Sequence, residues 1–140
     1  MRSASKVYAV DPAMFGAFSP ASALDQGQRL ETAVFNALRR RTPAVRVGSV
    51  CRLLIKEKSK SHEVDFVAGD ALLMRAYSLI QVSVDMASEK TREREIAALD
   101  ASMAQFDLGE SAIVTMDEQA DIPCEHGAVH VVPAWKWLLA

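Results

Sequence analysis

Apolar and polar positions recur along this chain with periods that sort it into elements. Between Asp25 and Arg41 the residues Leu30, Val34, Ala37 and Leu38 return at helical spacing, which predicts a long helix with one apolar face and Glu31 at its edge. Arg39, Arg40 and Arg41 close that helix, where cations complement its dipole, and Pro43 ends it. Over Val45–Lys58 the period changes. Cys51, Leu53 and Ile55 alternate with Arg52, Leu54 and Lys56, the pattern of a half-buried strand, with a break at Gly48-Ser49. Lys58-Ser59-Lys60-Ser61 is a polar turn, so the next strand, His62–Ala68, is expected to fold back as a hairpin. Its alternation predicts Glu63 and Asp65 on one face and Val64 and Phe66 on the other, with a break at Gly69-Asp70.

A third strand ends in the apolar run Leu79–Val84, which suits a central strand covered on both faces, with Gln81 set into it. Ser88 is placed to cap a second long helix, Glu89–Phe106, whose stripe is Ile96, Leu99, Met103 and Phe106. The charged first turns of that helix read as solvated i,i+4 pairs. Ser111–Met116 reads as a buried strand, Asp117–Gly127 as a polar loop, Ala128–Pro133 as a final edge strand, and Trp135–Leu139 as a short apolar cap. Upstream, Lys6–Val10 reads as a short strand. Asp11-Pro12 opens a helical turn, Phe15 and Phe18 pack inward, and Ser19–Ala23 is a loop.

From Asp25 the order is therefore α-β-β-β-α-β plus an edge strand. This predicts an α/β fold, a mixed central sheet flanked by helices, in one domain over residues 1–140. The length allows a substantial core. A strand-like segment so close to the first residue suits a domain taken from the middle or end of a longer protein. Half the residues are hydrophobic and 24% are charged, an ordinary globular balance. The net charge of −2 exerts no global pull on nucleic acid or anionic membrane. Nucleic-acid binding would need a local patch, for which Arg39, Arg40, Arg41, Lys56 and Lys58 are the candidates. No run approaches the ~18 apolar residues of a membrane span, and no secretory signal is apparent, so a cytoplasmic protein is expected. Cys51 and Cys124, the two cysteines, stand far apart and read as reduced thiols.

The chemistry sits on the central strands. Metal-dependent hydrolysis of a phosphodiester needs clustered carboxylates to hold Mg²⁺ or Mn²⁺, and a cation or base to place the hydroxide. Asp65 on the second strand, Gln81 on the third and Glu31 on the first helix are expected to converge in this way. Structural uses compete with that reading: Glu31 as a surface carboxylate, and Asp65 on a polar strand face paired with an arginine. His130 reads as a satisfied strand histidine, and His62 and His126 fall in turns and carry no assignment. Trp135 and Trp137 read as core caps. The chain has no G-x-S-x-G and no P-loop motif.

The acidic strand HEVDFV (His62–Val67) followed by LIQVSV (Leu79–Val84) resembles the PD-(D/E)XK nuclease superfamily, whose core is the same α-β-β-β-α-β. Together with KVYAVDPAMF (Lys6–Phe15), RLETAVFNALRRR (Arg29–Arg41), TREREIAAL (Thr91–Leu99) and WKWLL (Trp135–Leu139), these segments resemble more closely a domain found in many prokaryotic ATPases. It is the C-terminal domain that follows their P-loop module, the domain-of-unknown-function 4143 family. The resemblance implies a restriction-endonuclease-like core, a helical acid at Glu31 and a metal-binding aspartate at Asp65. The family's E-x-K falls on Gln81-Val82-Ser83, a departure at both functional positions. Gln81 brings a carbonyl but no charge, and Ser83 cannot replace an ammonium. Lys56 or Lys58 is the alternative source of a cation. An ATPase domain of the parent protein is the implied partner. Three functions follow. The first, favoured by the missing glutamate and lysine, is a non-catalytic binding or regulatory module. The second is a divalent-metal-dependent nuclease with Glu31, Asp65 and Gln81 as ligands. The third is a structural domain forming homo-oligomers through Trp135–Leu139.

Overall fold

A computed structural model describes residues 6–14, 25–41, 48–56, 61–70, 73 and 75–140. Leu30, Val34 and Leu38, spaced for one face, bury that face of helix α1 (Asp25–Arg41). The alternating stretch that follows becomes the antiparallel strands β1 (Gly48–Lys56) and β2 (Ser61–Asp70), and β3 (Arg75–Val82) pairs antiparallel with β2. Helix α2 (Glu89–Phe106) then carries the chain across to β4 (Glu110–Thr115), which lies parallel to β3, as a strand reached through a crossover helix can. The chain continues through β5 (Ala120–Cys124), β6 (Gly127–Pro133) and the short helix α3 (Ala134–Leu139). The six strands form one mixed sheet in the order β1-β2-β3-β4-β6-β5.

Helices cover both faces of the sheet. On one face Val64, Val67, Leu79, Ile113, Val129 and Val131 pack with Leu99 and Met103 of α2. On the other, Phe66, Ile80 and Val114 pack with α1, and Trp137 of α3 closes on them. Consecutive residues such as Leu79-Ile80 and Ile113-Val114 therefore enter opposite cores. This is why β3 and β4 read as nearly continuous apolar runs.

Several expectations are corrected. Lys6–Val10 is not a strand. The carbonyls of Ala9 and Val10 accept hydrogen bonds from Asn36 Nδ2 of α1, at 3.0 and 2.9 Å, instead of joining a sheet ladder. Tyr8 stacks on Phe35, ring centroids 4.1 Å apart. Asp11-Pro12 does open a single turn, with Met14 N–H bonded to Asp11 O. Ala128–Pro133 is not an edge strand: β6 is interior and parallel to β4. The edge is β5, which lies within the stretch read as a loop. Only Ile122 and Cys124 of this short strand pack on the core, and Pro123 interrupts it, as suits an edge, so the stretch gives little strand signal in the sequence. The chain does not break at Gly69-Asp70, which lies within β2. Instead Tyr77 of β3 is an extra residue opposite Ala68-Gly69. A Cβ at Gly69 would stand 2.1 Å from Arg75 O, so this crossing requires glycine.

Val64 and Phe66 do not share a face. Cys51 pairs with Val67 and Leu53 with Val64, so Arg52 alone faces both Asp65 and Phe66. This bulge flips the alternation, sending Val64 to the α2 side and Phe66 to the α1 side. Ser88 occupies the N-cap position of α2, but its side chain makes no capping bond. The expectations for Phe15, Phe18, Ser19–Ala23, Pro43 and the turn at positions 57–60 lie outside the described residues. Among the described residues, no helix is long and apolar enough to cross a membrane.

Candidate functional site

Where β2 and β3 part, the sheet end and both long helices enclose a cleft of about 500 Å³. Glu31 and Gly27 of α1 line one side, Glu63, Asp65 and Gln81 the floor, and Arg94 and Glu95 of α2 the other side. The three residues expected to converge, Glu31, Asp65 and Gln81, thus border one space. The β2 bulge aims Asp65 there, the re-aiming for which bulges recur beside functional sites.

The pairing of β2 with β3 runs from Asp70–Arg75 to Phe66–Ile80. Beyond it, side chains replace the ladder. Gln81 Oε1 accepts the Asp65 backbone N–H at 3.0 Å, and Asp65 Oδ2 accepts the Val82 N–H at 3.0 Å. Each polar side chain satisfies a backbone donor that the splayed strands would otherwise strand in a half-buried place. Glu31 Oε1 accepts from Lys6 Nζ at 2.7 Å and from the Tyr8 hydroxyl at 2.8 Å. Lys6 Nζ also lies 3.8 Å from Asp65 Oδ1. An ammonium therefore stands between the helical acid and the strand acid.

Burial pushes the Asp65 carboxyl up to about 6, overcoming the opposing Val82 N–H; Glu31 adds to the rise and Lys6 resists it. The Tyr8 hydroxyl is also raised, first by burial and then by its bond to Glu31. Arg52 pairs with Glu63, and Arg94 pairs with the buried Glu95 at 2.5 Å.

Lys6 holds the place between Glu31 and Asp65 that a Mg²⁺ or Mn²⁺ ion would take. A hard cation takes its shell from oxygens with free lone pairs, several of them charged. Glu31 Oε1, Asp65 Oδ2 and Gln81 Oε1 accept internal bonds, and a divalent cation would have to displace the Lys6 ammonium, 2.7 Å from Glu31 Oε1 and 3.8 Å from Asp65 Oδ1. Ser83 does not line the cleft, and its hydroxyl donates to Asp85 O. Lys56 ends β1 with its side chain outside the described residues, where Lys58 also lies, so neither is seen to supply the cation.

The arginines at the end of α1 divide. Arg39 and Arg40 are exposed, while Arg41 lies over the Trp137 ring at 4.3 Å and donates to Trp137 O. His130 is satisfied by Asp121 at 2.6 Å.

Sequence reasoning missed Lys6, Tyr8 and Glu95. Glu95 hides in a densely charged segment read as solvated. Its signal was spacing: it stands three and four residues before Ala98 and Leu99, both buried. It also passed over a second cluster. Among the described residues, one group of His, Cys, Asp or Glu brings three ligand atoms within 4.8 Å of one another. That group is Asp100, Glu125 and His126, not the acids of the cleft. Burial works against ionisation of Asp100, but the His126 N–H and ring and the Cys124 thiol outweigh it and hold the carboxyl below its ordinary range. Compared with known proteins, the chain matches no family model, no curated protein and no solved structure.

Proposed function

We propose that this chain is a nuclease-shaped module that has given up hydrolysis and works by binding or regulation. The observation that carries this reading is the Lys6 ammonium held between Glu31 and Asp65, where a nuclease would need a divalent cation. The order α1-β1-β2-β3-α2-β4 on a mixed sheet supports a restriction-endonuclease-like core. Gln81-Val82-Ser83, in place of E-x-K, supports loss of catalysis. Association with a P-loop ATPase, as the regulated or regulating partner, rests on the resemblance to the domain-of-unknown-function 4143 family. Fold analogy alone does not carry an activity.

The test is calorimetric titration of the purified chain and of Asp65→Ala with Mn²⁺, alongside incubation with single- and double-stranded DNA and RNA. The expected result is no heat that depends on Asp65 and no cleavage. Saturable Mn²⁺ binding that disappears in Asp65→Ala, with metal-dependent cutting, would overturn the proposal in favour of a nuclease.

A further inference from the structure

The turn between β5 and β6 is tied to α2 by a group of side chains remote from the cleft. Cys124 pairs with Gly127, leaving Glu125 and His126 as the two loop residues of the hairpin. Asp100 projects from the middle of α2. Its Oδ1 accepts the His126 backbone N–H at 2.9 Å, and its Oδ2 lies 3.1 Å from His126 Nδ1. One ligand atom from each of Asp100, Glu125 and His126 lies within 4.8 Å of the other two.

We propose that Asp100, Glu125 and His126 form a binding site for a divalent transition metal of the zinc class, which fastens the β5–β6 hairpin to α2. One imidazole with two carboxylates is a borderline donor set. It suits Zn²⁺ or Co²⁺ better than Mg²⁺, which prefers oxygen alone and near-ideal octahedral geometry. Nitrogen and oxygen ligands lie about 2.0–2.2 Å from zinc, so two donors on a tetrahedral ion stand roughly 3.4 Å apart. The 3.1 Å separation of Asp100 Oδ2 and His126 Nδ1 therefore needs only a small opening to admit an ion between them.

The bond from the His126 backbone to Asp100 Oδ1 is left intact by that change. It holds the carboxylate in orientation, the work that outer-shell hydrogen bonds do at metal sites. Asp100 is anchored with 19% of its side chain exposed, while His126, at 41%, and the exposed Glu125 remain open to solvent. The ion thus has a route in, and Glu125 has the freedom to close on it.

The experiment is titration of the full chain with Zn²⁺ by calorimetry, repeated with Co²⁺ while the His126 ring is followed by NMR. One equivalent should bind, and the His126 ring signals should shift with Zn²⁺ and broaden with Co²⁺. Glu125→Gln, on an exposed turn where folding is safe, should weaken binding tenfold or more. His126→Ala should abolish it, and Asp65→Ala in the cleft should leave it unchanged. Absence of saturable binding, or binding equally tight in Glu125→Gln and His126→Ala, would overturn the site and leave the cluster as a hydrogen-bonded turn anchor.

Discussion

Asp65 is the residue on which the cleft turns, and its environment has a measurable cost. Its side chain is 13% exposed, and its carboxyl is raised to about 6 from the 3.8 of a free side chain. The folded state therefore holds the Asp65 proton more tightly than the unfolded chain does. Stability from this group is greatest below pH 4 and falls as pH rises through 6, by up to about 3 kcal/mol in the fully ionised state. Asp65→Asn keeps an acceptor for the Val82 N–H and removes the buried charge. It should raise stability at pH 7.5 by about 1–3 kcal/mol and lose most of that advantage at pH 4, as measured by urea unfolding at the two pH values. A variant less stable than wild type at pH 7.5 would show that Lys6 and Asp65 form a strong pair. Under the function proposed above, a carboxylate kept at a cost in stability is the remnant expected of a lost site. The acids were legible residue by residue, because HEVDFV and the helix edge at Glu31 are local patterns. Their partner Lys6 was not, because it reaches Glu31 across 25 residues of sequence.

At the scale of elements, two irregularities shape β2. The extra residue at Asp65-Phe66 turns the acid toward the cleft, and the crossing at Gly69 lets β3 carry Tyr77 as an insertion. Alternation alone would have put Val64 and Phe66 in one core. The bulge divides them between two, and it shows only in the pairing with β1, where Arg52 faces two residues. Gly69→Ala should test how strictly the crossing is set. Its Cβ would meet backbone at 2.1 Å, whereas a Cβ at Gly109 meets nothing within 4 Å. Gly69→Ala should therefore destabilise by about 2 kcal/mol or more, and Gly109→Ala should stay within roughly 0.5 kcal/mol, compared by denaturant midpoints at constant m-value. Equal effects would mean that the β2–β3 crossing relaxes freely.

For the whole molecule, the net charge of −2 leaves nucleic-acid affinity to whatever basic surface is concentrated in one place. Arg39 and Arg40 are open to solvent at the end of α1, and Arg41 is committed to Trp137. Binding of a duplex should accordingly be weak and should fall steeply with salt. Changing Arg39 and Arg40 together to Ala should reduce the log–log salt slope by about 2, whereas Arg41→Ala should leave the slope unchanged. Fluorescence anisotropy across a salt series makes the comparison. A slope carried by Arg41 would mean that the Trp137 stack opens on binding.

The sequence by itself determined what repeats within a few residues: the apolar faces of α1 and α2, the twice-covered strands β3 and β4, and the order α-β-β-β-α-β. Helical and strand periods are local consequences of backbone geometry, so they can be read without a partner. Only the tertiary structure decided which groups meet across long stretches of chain. It laid β5 on the edge outside β6, buried Glu95 against the sheet end, brought Lys6 between Glu31 and Asp65, and set His126 on Asp100 across 26 residues. Those contacts depend on how packed elements close upon one another. Period and propensity carry no record of that closure, and both candidate sites of this protein are made by it.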